Sequence, residues 1–351
     1  METKNYIGID YHKKYTQITV VNARGEIQLE KRVLSEKEDL QRVFRQIKGP
    51  KEAVMEATYS WDKLYNILEE EVDRLILAHP LKVKAIASAK IKNDKIDSKV
   101  LAQLLRADLI PEAYIPSQET RLKKNILRQR MFFVRLRTML KNRVHSLVDR
   151  NNVPGEELKL FSDLFGKKGK EYLRNLEFSD KSEKILLHEQ LNVYEVIEER
   201  IKLSDKLIED IASKDERVAR LRSIPGIGKF FSVLILYEID NVARFTEPRK
   251  LFSYAGLVPS LYSSGEKSYN GKLTREGNRY LRWACIEAVV PAISSSLRLK
   301  MHYEKVKLRN GANAAKVAVA RKILELVWII LKKKCRYEER TKINKVESKA
   351  A

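Results

Sequence analysis

The stretch "YIGIDYHKKYTQITVVNARGEIQLEKRVL", residues 6–34, decides the fold of the N-terminal part of the chain. Its segments "YIGIDYH" and "YTQITVV" are short and rich in β-branched and aromatic residues, which predicts two strands. The polar, glycine-containing turn "NARGE" then predicts a hairpin into a third segment, "IQLEKRVL". A β-hairpin is therefore expected near the start of the domain.

Helices and strands alternate in the sequence that follows, up to residue 112. A helix is predicted for "SEKEDLQRVFRQI", with Ser35 as its N-cap, and a short buried strand for "EAVMEAT". Later segments are a helix at "SWDKLYNILEEE", strand-type segments at "LILAHP" and "KVKAIA", and an apolar-periodic helix at "IDSKVLAQLLRA". This order predicts an α/β domain over residues 1–112, with a mixed sheet and helices on its faces.

The region 113–217 is predicted to be helical. It begins with the basic segment "RLKKNILRQRMFFVRLRTMLKNRVHSLVDR", whose scarcity of acids favours a phosphate-facing role over a merely solvated face. A second helix has residues spaced by three and four along one side: Leu187, Gln190, Tyr194, Ile197, Ile201, Ser204, Ile208 and Ile211. That spacing fits a coiled coil that joins two protomers or separates two domains, and it fits an amphipathic bundle helix about as well.

The last region, residues 218–338, is predicted to be mainly helical, so that the chain combines an α/β part with an all-α part. "SIPGIGKFFSVLIL" has the form of a helix-hairpin-helix turn, whose glycines let backbone amides approach a phosphate; a simple tight turn is the alternative. The segment "VPSLYSSGEKSYNGKLTREG" predicts a flexible, basic loop that presents serines. Helices over 275–297 and 312–334 complete the region, and residues 339–351 are expected to be disordered.

Charge and composition narrow the class of protein. Among 351 residues, 69 lysines and arginines against 47 acids give a net charge of +22, which favours nucleic acid as partner over a ribosome-associated or membrane-surface role. No apolar run reaches the roughly 18 residues of a membrane span, and no signal-peptide stretch comes before the first strand. With only two cysteines, the sequence predicts a globular protein of the reducing cytoplasm, without a membrane partner.

Four carboxylates stand at the ends of predicted elements. Asp10 and Glu56 end two apolar strands, while Asp94 and Asp97 share one face at the start of a helix. Carboxylates brought together repel one another unless a cation neutralises them, and hard oxygen ligands select Mg²⁺ or Mn²⁺. Two such ions stabilise attacking and leaving oxygens in phosphoryl transfer. Any one of these acids alone would be a helix cap or a surface charge, and the five histidines show no metal-ligand spacing.

Several segments occur in an order that resembles the insertion-sequence 110 family of transposases: "YIGIDYHKK", "VMEATYSW", "HPLKVKAIASAKIKNDKIDSKVLAQLL", "SIPGIGKFFSVLILYEI" and the serine segment. The resemblance covers most of the chain. It implies a RuvC-like (RNase H-like) N-terminal domain with an Asp-Glu-Asp-Asp set, a coiled-coil linker, and a C-terminal transposase domain with a nucleophilic serine. It also implies DNA recombination guided by a structured bridge RNA.

The resemblance assigns roles residue by residue. The family's serine falls on Ser264, because Gly265 follows it, while the neighbouring Ser263 stays an alternative. The metal-binding and catalytic acids fall on four residues: Asp10, Glu56, Asp94 and Asp97. The resemblance thus implies that carboxylates with metal from one domain and a serine from the other act together.

Basic residues near these segments are expected to bind nucleic acid. They lie in the basic helix, at the helix-hairpin-helix turn and around the serine loop: Lys123, Lys124, Arg128, Lys229, Lys267, Lys272, Arg275, Arg279 and Arg282. The last three have helical spacing and are expected on one face. The alternative is a mobile hairpin with solvated charges.

The expected function is RNA-guided cleavage and exchange of DNA strands through a phosphoserine linkage. The expected partners are donor and target DNA, a structured guide RNA and further copies of the chain, in a dimer or tetramer of the prokaryotic cytoplasm or nucleoid. A RuvC-type, metal-dependent Holliday junction nuclease that uses water is the alternative, and a non-catalytic nucleic-acid-binding protein is a third.

Overall fold

The computed structural model describes residues 4–58, 60–87, 93–264, 267–273 and 276–338. The chain divides into two compact units, residues 1–116 and 117–351. The finer predicted division at residue 217 stays a prediction, and the predicted tail, 339–351, lies outside the described residues. No helix in the described part of the chain is long and apolar enough to cross a membrane.

The N-terminal unit is a mixed sheet with helices on both faces, as predicted. Its elements are β1 (Asn5–Tyr11), β2 (Tyr15–Val21), β3 (Ile27–Leu34), α1 (Lys37–Gln46), β4 (Lys51–Glu56), α2 (Trp61–Leu68), β5 (Arg74–Ala78), α3 (Pro80–Ile86) and α4 (Asp94–Arg106). The strand order is β3-β2-β1-β4-β5. The first three strands are antiparallel neighbours, whereas β1, β4 and β5 run parallel, because helical crossovers join them.

Two apolar clusters cover the faces of this sheet. On one face, Ile7 and Ile9 pack with buried residues of α1 and α2, including Phe44 and Leu64. On the other face, Val54 and its neighbours pack against α3 and α4. Since alternate residues of a strand face opposite sides, Gly8 and Asp10 lie on the α4 side.

Gly8 lets α4 lie directly on β1. A Cβ atom at this position would stand 1.9 Å from the carbonyl oxygen of Ser98 and 2.6 Å from the backbone nitrogen of Ala102. The Ser98 hydroxyl is also buried, and it hydrogen-bonds the Thr19 hydroxyl of β2 at 2.8 Å. This contact fixes the height of α4 above the sheet.

Replacing Gly8 by alanine is expected to lower the free energy of unfolding by about 1–3 kcal/mol, because the added methyl group forces α4 away from β1. Chemical denaturation of the full chain measures the change. Gly155→Ala is the matched control, since a Cβ there would have no atom of a described residue within 4 Å. A Gly8→Ala protein as stable as its parent would contradict the close packing of α4 on β1.

The C-terminal unit is mostly helical, which confirms the predicted fold class. Its elements are α5 (Gln118–Arg150), α6 (Gly155–Lys159), α7 (Lys167–Asn175), α8 (Lys181–Ser213), α9 (Glu216–Leu221), α10 (Lys229–Ile239), α11 (Pro248–Tyr254), β6 (Pro259–Ser264), β7 (Lys267–Leu273), α12 (Arg279–Glu287), α13 (Val289–Ser295) and α14 (Leu297–Lys333). Helix α14 is interrupted at Gly311, where φ is 80°.

The helices α5 and α8 form an antiparallel pair within the chain. Three ion pairs cross between them in opposite sequence order: Arg130–Asp205 at 2.7 Å, Arg137–Glu198 at 2.9 Å and Arg150–Glu183 at 2.7 Å. The buried residues of α8 belong to the predicted seam or adjoin it: Leu187, Leu191, Tyr194, Ile201, Ser204 and Ile208. Packing within the chain thus buries these residues of the seam, as in the bundle alternative, and a role of the seam in joining protomers stays a prediction.

Three local predictions were wrong. "KVKAIA" is part of helix α3 instead of a strand, because Pro80 is pre-organised for the first turn of a helix. Ser35 is not an N-cap; α1 is preceded by Glu36, and the Ser35 hydroxyl donates to the carbonyl oxygen of His12 at 2.7 Å. The predicted serine loop is a two-stranded hairpin, β6–β7.

Candidate active site

The first two carboxylates lie at one end of the sheet. Strands β1 and β4 are parallel neighbours with Ile9 beside Met55, so Asp10 and Glu56 follow at the same level. Both carboxylates lie on the α4 side, since their strand neighbours Ile9 and Met55 face the opposite core. The parallel register therefore places the two residues at one end of the sheet, and their binding of a common metal stays a prediction.

The other two carboxylates occupy the first turn of α4. Asn93 caps this helix by accepting a hydrogen bond from the backbone nitrogen of Ile96 at 2.8 Å. Asp94 and Asp97 lie in the turn that follows, and the negative charge of each raises the pKa of Asp10. The packing of α4 on Gly8 thus brings its first turn to the end of β1.

His12 joins this group, although the sequence analysis did not select it. Its Nε2 atom lies 3.1 Å from Asp10 Oδ2 and 3.4 Å from Asp94 Oδ1. One ligand atom from each of the three residues lies within 4.8 Å of the others. The sequence offered one signal for His12, namely that it lies two residues after Asp10. Residues two apart in an extended segment share a side. We call Asp10, His12 and Asp94, with the neighbouring Glu56 and Asp97, the acidic centre.

The pKa of Asp10 is raised above its usual value. Burial is the largest cause; the hydrogen bond and charge of His12 lower it, and the nearby Asp94 and Asp97 raise it. The ionised carboxylate is therefore less stable here than in water, and a cation bound beside it would offset that cost. Two carboxylates and an imidazole within one ion's reach suit a divalent metal with oxygen and nitrogen ligands.

The candidate serine ends a strand of the hairpin. Strands β6 and β7 are antiparallel, with Ser263 beside Ser268 and Ser264 beside Lys267. Ser264 is therefore the residue at which β6 reaches the tip of the hairpin. Gly265 lies outside the described residues.

The base of the serine hairpin is closed by two glycines. Gly256, before β6, and Gly277, after β7, both have positive φ, at 66° and 112°. A Cβ on Gly277 would stand 2.6 Å from the Tyr254 carbonyl oxygen, and that oxygen accepts from the Asn278 backbone nitrogen at 2.7 Å. The serine hairpin therefore begins and ends at nearly the same point of the C-terminal unit.

A buried ionic cluster holds the start of α12. Glu238 is fully buried, and its carboxylate accepts from Arg128 at 2.9–3.2 Å and from the Asn278 amide at 2.8 Å. The Lys124 ammonium lies 3.6 Å away. Asn278 also caps α12 by accepting from the backbone nitrogens of residues 280 and 281. Lys124 and Arg128, both predicted to bind nucleic acid, thus have an internal partner, and their contact with nucleic acid stays a prediction.

The other predicted nucleic-acid contacts are spread over the C-terminal unit. Lys123 hydrogen-bonds Glu119 and the Tyr237 hydroxyl, and Lys229 hydrogen-bonds Glu209. Two further cations lie on α12: the exposed Arg279, and the half-buried Arg282, which donates to the Ala255 carbonyl oxygen at 3.4 Å. Lys267 and Lys272 belong to β7, and Arg275 lies outside the described residues. Their roles as nucleic-acid ligands remain predictions.

Comparison with known proteins places these features in a family. A transposase model of the DEDD, IS110 type matches residues 7–152, and the model "Transposase IS116/IS110/IS902 family" matches residues 218–304. The chain is 25% identical to a "Probable family 20 transposase" of Pseudomonas aeruginosa, over 94% of this chain and 98% of that protein. It is 23% identical to the "Putative transposase y4qE" of Sinorhizobium fredii, over 93% and 88%. A third relative, the "Transposase for insertion sequence element IS1111A" of Coxiella burnetii, is 30% identical over 34% of each chain.

These matches define the class of protein, an insertion-sequence transposase, which cuts and rejoins DNA. Within this class, the chain belongs to the IS116/IS110/IS902 family of transposases. A DEDD-type domain indicates use of a divalent metal, and the donor atoms of the acidic centre fit such an ion.

Proposed function

We propose that this transposase performs RNA-guided cleavage and exchange of DNA strands through a phosphoserine linkage, with Mg²⁺ or Mn²⁺ at the acidic centre. The observation that carries the proposal is the convergence of Asp10, His12 and Asp94 in a strongly basic chain. These acids repel one another and also repel a polyanionic substrate. They therefore serve catalysis only together with a cation.

We assign action on the scissile phosphate to the acidic centre. Asp10, Glu56, Asp94 and Asp97 would hold the metal, and the donor atoms of Asp10, His12 and Asp94 lie within 4.8 Å of one another. When bound, the metal offsets negative charge that develops on the phosphate oxygens. The carboxylates themselves would keep such an ion at the end of β1, where it would meet the bound DNA strand.

Ser264 is the proposed nucleophile. Its hydroxyl oxygen attacks the phosphorus atom, the Oγ–P bond forms, and the bond from phosphorus to the leaving strand's oxygen breaks. The serine proton ends on that oxygen, which becomes a hydroxyl group. Because the phosphoserine linkage retains the energy of a phosphodiester, a second strand's hydroxyl reverses the step and rejoins DNA without ATP. Ser263 is the alternative nucleophile.

Guide RNA and further copies of the chain are the proposed partners. The net charge of +22 supports a polyanionic partner besides DNA, and the exposed Arg135 and Arg143 of α5 have no ion-pair partner among the described residues. Strand exchange requires two DNA partners, which favours a dimer or tetramer. Support comes from exposed apolar residues on α8 outside the seam, several of them seven apart: Leu186, Val193, Val196, Leu203 and Leu207.

A RuvC-type Holliday junction nuclease that uses water is the second candidate. One observation favours it: all five residues of the acidic centre belong to the N-terminal unit. Such an enzyme leaves the serine hairpin and its closed base without a role.

Denaturing electrophoresis after incubation with DNA and Mg²⁺ separates the two candidates. We expect DNA bound covalently to the protein, and a defined structured RNA recovered by sequencing the nucleic acid that copurifies with the chain. Cleavage without any covalent adduct would favour the nuclease. Random copurifying RNA would contradict guidance by RNA while leaving the serine chemistry in place.

A further inference from the structure

A row of polar residues crosses the first three strands beside the acidic centre. Asp10 of β1 is in register with Gln17 of β2, and Gln17 is in register with Arg32 of β3. Neighbouring strands are about 4.8 Å apart, so the row extends about 10 Å from the acidic centre toward the sheet edge. The row runs from an acid, through a neutral amide, to a cation.

A cavity of about 420 Å³ opens over this row. The residues of the described part of the chain that line it are polar or charged: Gln17, Glu30, Arg32, Asn93, Asp94 and Lys95. Because Asp94 also belongs to the acidic centre, a ligand in the cavity contacts that centre directly. These polar and charged side chains fit a polar, charged ligand.

Gln17 carries an unused hydrogen-bond donor at this cavity. Its side chain is 2% exposed, and its amide nitrogen has no hydrogen-bond partner among the residues that the structure describes. A buried polar group without a partner lowers the stability of a fold, so a ligand that accepts from it gains affinity. The amide thus points to a ligand with an acceptor oxygen.

Two acids and two cations line the cavity, and Arg32 is the one charge among them without an ion-pair partner among the described residues. Both lining acids already have partners, since Glu30 pairs with Lys95 at 3.0 Å and Asp94 lies 3.4 Å from His12. The exposed Arg32 has its guanidinium 3.4 Å from the centre of the Tyr15 ring and makes no ion pair with a described residue. A planar guanidinium held against an aromatic ring is well suited to phosphate.

We propose that this cavity is a phosphodiester-binding subsite, in which the Gln17 amide and the Arg32 guanidinium bind phosphate oxygens of the nucleic-acid strand that continues into the acidic centre. The proposal rests on the proposed function, because that function brings a nucleic-acid strand to this edge of the sheet. Gln17 supplies a directional hydrogen bond, whereas Arg32 supplies charge.

Fluorescence anisotropy of a labelled single-stranded oligodeoxynucleotide tests the subsite, with the full chain, with Mg²⁺ present and strand integrity checked on a gel. Gln17→Met keeps the side-chain volume and removes the donor, so binding should weaken roughly tenfold or more. Thermal stability should stay the same or rise, because a buried orphan donor disappears. Arg32→Gln should weaken binding and lower the salt dependence by about one unit.

Arg42→Gln is the matched control, because Arg42 is an exposed arginine of α1 outside the cavity and the row. It should bind like the parent. Parental affinity in both Gln17→Met and Arg32→Gln would overturn the subsite, and so would an equal loss in Arg42→Gln. If Gln17→Met fails to fold, the affinity of Arg32→Gln decides alone, because Arg32 is exposed. A parent chain that binds no oligonucleotide would instead overturn the proposed function.

Discussion

Replacing Ser264 by alanine should abolish DNA cleavage and strand exchange and eliminate the covalent protein–DNA adduct. The substitution removes only the attacking oxygen, and loss of a catalytic nucleophile lowers turnover on the order of 10⁴-fold or more. Stability should change by no more than about 0.5 kcal/mol, because the hairpin base is held by residues 254–256 and 276–278, away from the substitution. Cleavage and adduct are measured on denaturing gels, and nucleic-acid binding should persist.

Ser263→Ala is the matched control, one residue away in the same strand β6. It should retain cleavage and adduct formation. If Ser263→Ala is the inactive variant instead, the serine mechanism stands with the neighbouring residue as nucleophile. Continued cleavage by Ser264→Ala and Ser263→Ala alike would mean that water attacks the phosphate, and the nuclease would be the better description.

Asp10→Asn should also abolish cleavage, because it removes the central carboxylate of the acidic centre. Its second readout is metal binding: Mg²⁺ or Mn²⁺ should raise the melting temperature of the parent but not that of the variant. Asp62→Asn, at an exposed position in the first turn of α2, is the matched control and should keep both responses. Full cleavage by Asp10→Asn, or by the parent in excess chelator, would contradict a metal site at Asp10.

The metal-free stability of Asp10→Asn has a predicted pH dependence. The raised pKa of Asp10 means that folding favours its protonated form, so the ionised carboxylate destabilises the fold as pH rises through that pKa. Without metal at neutral pH, the variant should therefore be at least as stable as the parent. The difference should vanish below the usual carboxyl pKa of 3.8, where the parent is protonated in both states.

The strands and the positions of the acids at the ends of elements were predictable because their signals are local. Short β-branched segments and the "NARGE" turn predicted β1 to β3, and the apolar strands ending in Asp10 and Glu56 predicted carboxylates at one sheet edge. His12 was missed because its position two residues after Asp10 does not by itself indicate a contact with Asp94. That contact depends on the return of the chain at Tyr15 and on the Ser35 hydroxyl, which hydrogen-bonds the His12 carbonyl oxygen.

The basic helix α5 shows the limit of local reasoning. Its sequence has few acids, which favoured a phosphate-facing surface, yet four of its arginines pair with Glu238 or with acids of α8: Arg128, Arg130, Arg137 and Arg150. By spacing alone, the seam of α8 fitted a coiled coil between protomers, a spacer between domains or a bundle helix. In the structure, α8 packs against α5 of the same chain. Spacing tells which side of a helix is apolar without telling which element covers that side.

The sequence by itself determined most of the elements, the positions of acids at their ends and the excess of positive charge, because propensity, periodicity and composition act over a few residues. The tertiary structure alone decided which charges neutralise one another and which polar groups stay without a partner. Arg128 meets Glu238 across 110 residues, and Gln17 keeps an unused donor beside Asp94. Such contacts depend on how helices and strands pack, since burial makes a distant partner, or the lack of one, energetically decisive.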